Sequence, residues 1–276
     1  MEERRGWNLK KLTSVLWKGV LFFLGWAILS AFLPLPERVE PAVWRLWAEI
    51  TPLFGIAVFT LAFWLVEKRK LRLCLWNHPS RGISVGIAAG IVWLGLDVGT
   101  LLLCGVIHFE GKNPVPHLPI WMLAAFLNVI TQELLIRGYL YQMLKHTYSL
   151  SAAAIATSVL FTLLHGGAFE AGLVPVLNVL TTSLLLSVIL EYTGSLIAPV
   201  MMHFLWNGIG ALILGVISLA DDYPHLLSFR FTGGKLLTGG ECGLEGSAVV
   251  LVFNLIWILF FAFLGKKGQI KGGLAE

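Results

Sequence analysis

The sequence predicts an all-α fold, a polytopic membrane helix bundle of about eight transmembrane helices. Three observations lead there. The 276 residues are 57% hydrophobic and only 13% charged, with a mean hydropathy of +0.80. A soluble domain carries about twice that charged fraction. The apolar residues also gather in runs near the roughly 20 residues that a spanning helix needs. Finally, these runs do not alternate apolar and polar positions, as the strands of a membrane barrel must. Lipid supplies no hydrogen-bond partners, so helices remain.

Eight runs are expected, near 14–33, 46–66, 83–107, 118–144, 151–165, 172–192, 195–220 and 247–264. Helix-stopping residues separate them: Pro34 and Pro36, Pro79, Pro114 and Pro116, Gly194, then Pro224 with a glycine-rich stretch. The fifth run is short and can continue into Gly166 and Gly167. The first follows a charged stretch, but its apolar part is long and no A-x-A site follows, so it reads as a membrane helix and not a leader. The loop 221–246 is glycine-rich and shows no chemistry. The chain reads as a single membrane domain over 1–276.

Basic residues set the orientation. With the N-terminus inside, 13 Lys and Arg fall on inner segments and 5 on outer loops, while Lys18 and Arg137 lie within runs. That bias predicts a multi-pass protein of the cell membrane with both termini cytoplasmic. The net charge of +4 is then a topology signal, and no nucleic-acid partner is implied. The three cysteines are scattered, with no disulfide framework and no zinc spacing. Trp44, Trp47 and Trp121 suit interfacial anchoring.

Ionisable and polar groups inside a bilayer are costly and point to function. The fourth run holds Asn128, Gln132, Glu133 and Arg137, the fifth ends Phe161-x-x-x-His165, and the seventh holds His203-x-x-x-Asn207. Residues four apart lie about 40° apart on a helix, so Glu133 can pair with Arg137, and Asn128 with Gln132. Counted at 1.5 Å per residue from the cytoplasmic ends, these groups lie at a depth of roughly 12 to 21 Å. Three helices thus place polar groups in one layer. A carboxylate and an imidazole in an apolar setting can take a proton from water, and a His with an Asn amide can donate to an oxyanion. Asn128, Asn178, Thr181, Thr182 and Asn254 read as glue between helices. Asp97 is an intramembrane acid whose partner the sequence does not reveal.

The three motifs, in this order and in expected spans, resemble the CAAX protease and bacteriocin-processing (CPBP, or ABI) family of intramembrane endopeptidases. The resemblance covers 118–210, the expected catalytic core, and includes the lead-in from Tyr192 to Pro199. The family pattern is E-E-x-x-x-R, F-x-x-x-H and H-x-x-x-N. The resemblance implies that His165 activates water with the first acid of the pair, that His203 and Asn207 form the oxyanion site, and that Arg137 orients the acids. It implies no cofactor, and a membrane-associated or lipidated peptide as substrate.

The departure is Gln132 at the first acidic position, since an amide cannot act as a base. Three readings stay open. Glu133 takes over the base role. The protein is catalytically silent and binds peptide or lipid, as an immunity-type factor would. Or the glutamine is an inactivating replacement. On the first acid's logic, Gln132→Glu is expected to raise or create hydrolysis. A zinc protease with His165, His203 and Glu133 as ligands is a further alternative, without H-E-x-x-H spacing to support it. A transporter is disfavoured by the lack of internal repeats.

Overall fold

The computed structural model describes residues 9–220 and 222–272. Arg4 and Arg5, two of the inner basic residues, lie outside the described residues. The order of elements is α1 (Leu9–Phe32), α2 (Pro41–Val66), α3 (Pro79–Leu103), β1 (Ile107–Lys112), α4 (Leu118–Glu133), a π-helical turn (Leu134–Gly138), α5 (Tyr139–Thr147) and α6 (Leu150–Leu163). There follow α7 (Gly166–Ala171), α8 (Leu173–Thr193), α9 (Ile197–Phe204), a π-helical segment (Leu205–Ile213), β2 (Leu227–Phe231), α10 (Lys235–Thr238), a 3-10 segment (Gly240–Gly246) and α11 (Ala248–Gly272).

Among the described residues, six helices are long and apolar enough to cross a membrane: Leu9–Phe32, Pro41–Val66, Pro79–Leu103, Leu118–Thr147, Leu173–Thr193 and Gly240–Lys266. Leu150–Leu163 and Ile197–Ile213 are shorter and also apolar. The apolar stretches follow the expected order, and the chain is a multi-pass membrane protein with a helical bundle fold. The seventh stretch ends earlier than the sequence suggests, at Ile213. Beyond it Gly215 turns the chain at φ +65°, where a side chain would also collide with the carbonyl of Leu227.

Contacts group the chain into two compact units, each discontinuous in sequence: Met1–Cys74 with His117–Thr157, and Leu75–Pro116 with Ser158–Glu276. In the first unit α2 packs on α4 and on α1. An aromatic cluster of Phe22, Phe63 and Tyr139 ties α1, α2 and α5 together, with ring centroids 5.0 to 5.6 Å apart. Lys18, a charge inside the first run, is paired with Glu67 at 2.6 Å, and the Tyr139 hydroxyl donates to the same carboxylate at 3.3 Å. Trp121, expected at an interface, is instead buried at 5% exposure, because it starts α4 on the packed face.

In the second unit α3 lies close against α9. Gly82, Gly86 and Gly90 recur every fourth residue, so they share one face of α3. A Cβ at these positions would stand 2.7 Å from Ser195 Oγ, 2.5 Å from Ala198 O and 2.8 Å from Leu205 Cδ1. Small residues at helical spacing let two backbones approach, as in other membrane helix pairs. That approach fixes the helix carrying His203. The Trp93 and Trp206 rings stack at 4.1 Å across the same pair. The Asn178 amide donates to the carbonyls of Glu245 and Ser247 at 2.7 and 2.8 Å, and the Asn254 amide donates to Thr181 and Thr182 at 3.0 Å each. These are the glue residues expected from the sequence. A two-stranded antiparallel sheet was not foreseen. It pairs Ile107 with Phe231 and Lys112 with Leu227 around a bulge near Gly111, so the glycine-rich loop is partly ordered by β1.

Candidate active site

Glu133 closes α4 and Arg137 lies in the π-helical turn that follows. Both are fully buried, and Arg137 Nη1 stands 2.9 Å from each Glu133 carboxylate oxygen. The pair expected from their spacing is therefore made, across a change of helix type. Departures to π geometry insert a residue into the ladder and occur often at functional sites. With both oxygens held by the guanidinium, the carboxylate is disposed to anchor Arg137 more than to meet a water.

Gln132 points along a different hydrogen-bond path. Its amide nitrogen donates to Asn128 Oδ1 at 2.6 Å. Asn128 Nδ2 donates to Glu49 Oε2 on α2 at 2.9 Å, and Arg45 Nη1 stands 3.3 Å from Glu49 Oε1. Gln132 Oε1 is buried and has no hydrogen-bond partner in the protein. Glu49 is only 4% exposed. Sequence reasoning missed it, because an acid near the start of a run resembles an interfacial charge. The available signal was an acid four residues after Arg45 inside an apolar stretch.

The second unit holds the other motifs. α6 ends at Leu163, so His165 sits just past the helix, with φ −102° and ψ 61°, and not within a span continued to Gly167. Its Nδ1 is 2.7 Å from the Phe161 carbonyl oxygen. A carbonyl only accepts, so Nδ1 carries the proton and Nε2 of a neutral ring holds the lone pair. The Phe161 ring lies 4.3 Å from the His165 ring and 6.1 Å from the His203 ring, edge-on to the latter. Both histidines thus flank one aromatic side chain. His203, near the end of α9, is 4% exposed, and Asn207, in the π-helical segment, is 5% exposed. Here too the motif crosses from α to π geometry.

Among the described residues no three His, Cys, Asp or Glu side chains are arranged to hold a metal ion. Asp97 is fully buried in the second unit, and neither of its carboxyl oxygens has a hydrogen-bond partner. A cavity of about 430 Å³ opens in the same unit between 170–175 and 235–246, lined by Glu170, Lys235 and Glu241, and no motif residue lines it.

One comparison with known families bears on this segment. Residues 114–209 match the family described as Type II CAAX prenyl endopeptidase Rce1-like. The matched segment is about a third of the chain and contains every motif residue, from Gln132 to Asn207. Its bounds fall within a few residues of the core expected from the motifs. Glu49, Asp97 and α11 lie outside it. No curated protein and no solved structure matches the chain.

Proposed function

We propose that this protein is an intramembrane endopeptidase that hydrolyses a peptide bond in a membrane-associated or lipidated peptide. In this reading His165, His203 and Asn207 carry the chemistry, and Gln132, Glu133 and Arg137 are the residues of the first motif. The observation that carries it is the fixed ring of His165. Its Nδ1 is committed to the Phe161 carbonyl, which leaves Nε2 to take a proton from the attacking water. His203 and Asn207 donate to the oxyanion as it forms. Glu133 holds Arg137, and together they keep the end of α4 in register. The water's proton passes through His165 to the leaving amine. The Rce1-like match supports the reaction class.

Gln132 favours one other reading, a silent member that binds such peptides without cutting them. Purified protein in liposomes, offered a library of membrane-tethered and prenylated peptides, separates the two. New peptide termini detected by mass spectrometry, absent with His165→Ala, support the endopeptidase. Saturable peptide binding with no cleavage, equal in both proteins, supports the binder.

The residence we propose is the cell membrane, with both termini cytoplasmic. In a background with Cys74, Cys104 and Cys242 changed to serine, Lys235→Cys is expected to react with an impermeant reagent added outside intact cells. Lys70→Cys is expected to react only after lysis. The opposite pattern inverts the topology.

A further inference from the structure

The direction of the hydrogen bonds from α2 to Gln132 is forced by chemistry. A carboxylate only accepts, so the Asn128 amide must turn its nitrogen to Glu49. Its oxygen then faces position 132, and only a donor fits there. Gln132 answers with its own nitrogen, at 2.6 Å. Its carbonyl oxygen is left buried and without a donor from the protein. Buried acceptors are nearly always satisfied, so an orphan at a motif position calls for a partner from outside the chain. The opposite amide orientation is excluded, since reversing Asn128 would set its oxygen against the Glu49 carboxylate.

We propose that Glu49 is a positioning residue of the candidate site: acting through Asn128, it holds the Gln132 side chain with its carbonyl oxygen free to accept a hydrogen bond from the attacking water or from a peptide N–H of the substrate. This rests on the endopeptidase reading for the identity of the donor, but not for the coupling between positions 49 and 132. Those two positions then carry one carboxylate and one amide between them. A glutamine at the first acidic position is the complement of an acid on α2. This also alters the expectation for Gln132→Glu. A carboxylate introduced there alone faces the Asn128 oxygen, or forces that oxygen onto Glu49. Adding Glu49→Gln lets the whole chain reverse: the new amide at position 49 donates to Asn128, and Asn128 donates to the new carboxylate.

The test is a double-mutant cycle of Glu49→Gln and Gln132→Glu, run with and without Asn128→Ala. Thermal unfolding in detergent is the readout that needs no activity. Gln132→Glu alone is expected to lower the midpoint, and the double variant to recover at least half of that loss. The recovery is expected to vanish when Asn128 is replaced by alanine. Additive effects, or equal recovery without Asn128, would overturn the relay, the latter because plain repulsion between two carboxylates would then explain the coupling. The second readout is peptide cleavage. Glu49→Gln is expected to lower kcat about tenfold with KM unchanged, as for the loss of an interaction made only in the transition state, and the double variant is expected to cut faster than Gln132→Glu alone. A fall in kcat that merely tracks the folded fraction, or a change in KM with kcat untouched, would overturn the positioning role. Cleavage by no variant, native included, with the coupling intact, removes the endopeptidase reading and the donor assigned from it, while the link between Glu49 and Gln132 stands.

Discussion

Arg137→Ala is expected to destabilise the protein by about 3–5 kcal/mol, more than the loss of any other single side chain in the candidate site. The reason is burial. Glu133 and Arg137 are both fully enclosed, and the substitution strips the carboxylate of its two hydrogen bonds from Nη1. A charge left in a dry interior without those contacts costs several kcal/mol, far more than the pair contributes net when intact. Arg137→Lys is expected to lose less, since a single nitrogen bridges both oxygens and Nζ can approach the same place. Replacing the pair together, by Glu133→Met with Arg137→Met, is expected to recover most of the stability, because neither charge is then buried alone. Thermal unfolding in detergent measures all three. A double variant as unstable as Arg137→Ala would mean that the pair is needed for more than mutual neutralisation. If the double variant is stable but cuts no peptide, the pair orients the site without being required for the fold.

His165→Ala is expected to lower peptide cleavage by about a hundred- to ten-thousand-fold in kcat, the range for losing a positioned base. Asn207→Ala, which removes one oxyanion donor in the proposed mechanism, is expected to cost about a hundred- to a thousand-fold in kcat. The two losses should differ in their effect on folding. His165 lies beyond the end of α6 and is only half-buried, so its removal leaves the unfolding midpoint nearly unchanged. Asn207 is buried in the π-helical segment, so some loss of stability accompanies its removal. Steady-state kinetics at equal folded fraction separate these effects. A change in KM with kcat untouched would assign His165 to substrate binding and not to water activation.

Much of this was legible in the chain itself, because the signals are local. Hydropathy marks a membrane bundle before any contact is known, since only helices satisfy their backbone inside lipid. Spacing of four residues sufficed to pair Glu133 with Arg137 and Asn128 with Gln132, and both contacts are made. The tethering role of Asn178 and Asn254 followed from polar amides in apolar runs. The segment that matches the Rce1-like family was visible as three ordered motifs within 114–209.

Other features depended on groups far apart in sequence. Glu49 gains its meaning from Asn128, 79 residues away, and no helical periodicity on α2 announces that contact. The end of α6 before His165 depends on backbone geometry that apolar composition does not encode, since leucine and glycine permit both a continued helix and a break. The shift from α to π geometry at Leu134 and at Leu205 is likewise hidden from a count at 3.6 residues per turn. In the second case, Gly210 packs close to the end of the Ile217 side chain. The sheet between β1 and β2 formed because two short extended segments separated by more than 100 residues satisfied each other's backbone groups. Composition and helical spacing determined the fold class and the motif residues, since both act within one helix. Packing between helices decided which atoms of those residues are committed and which are left open, and at Gln132 that decision set the oxygen free.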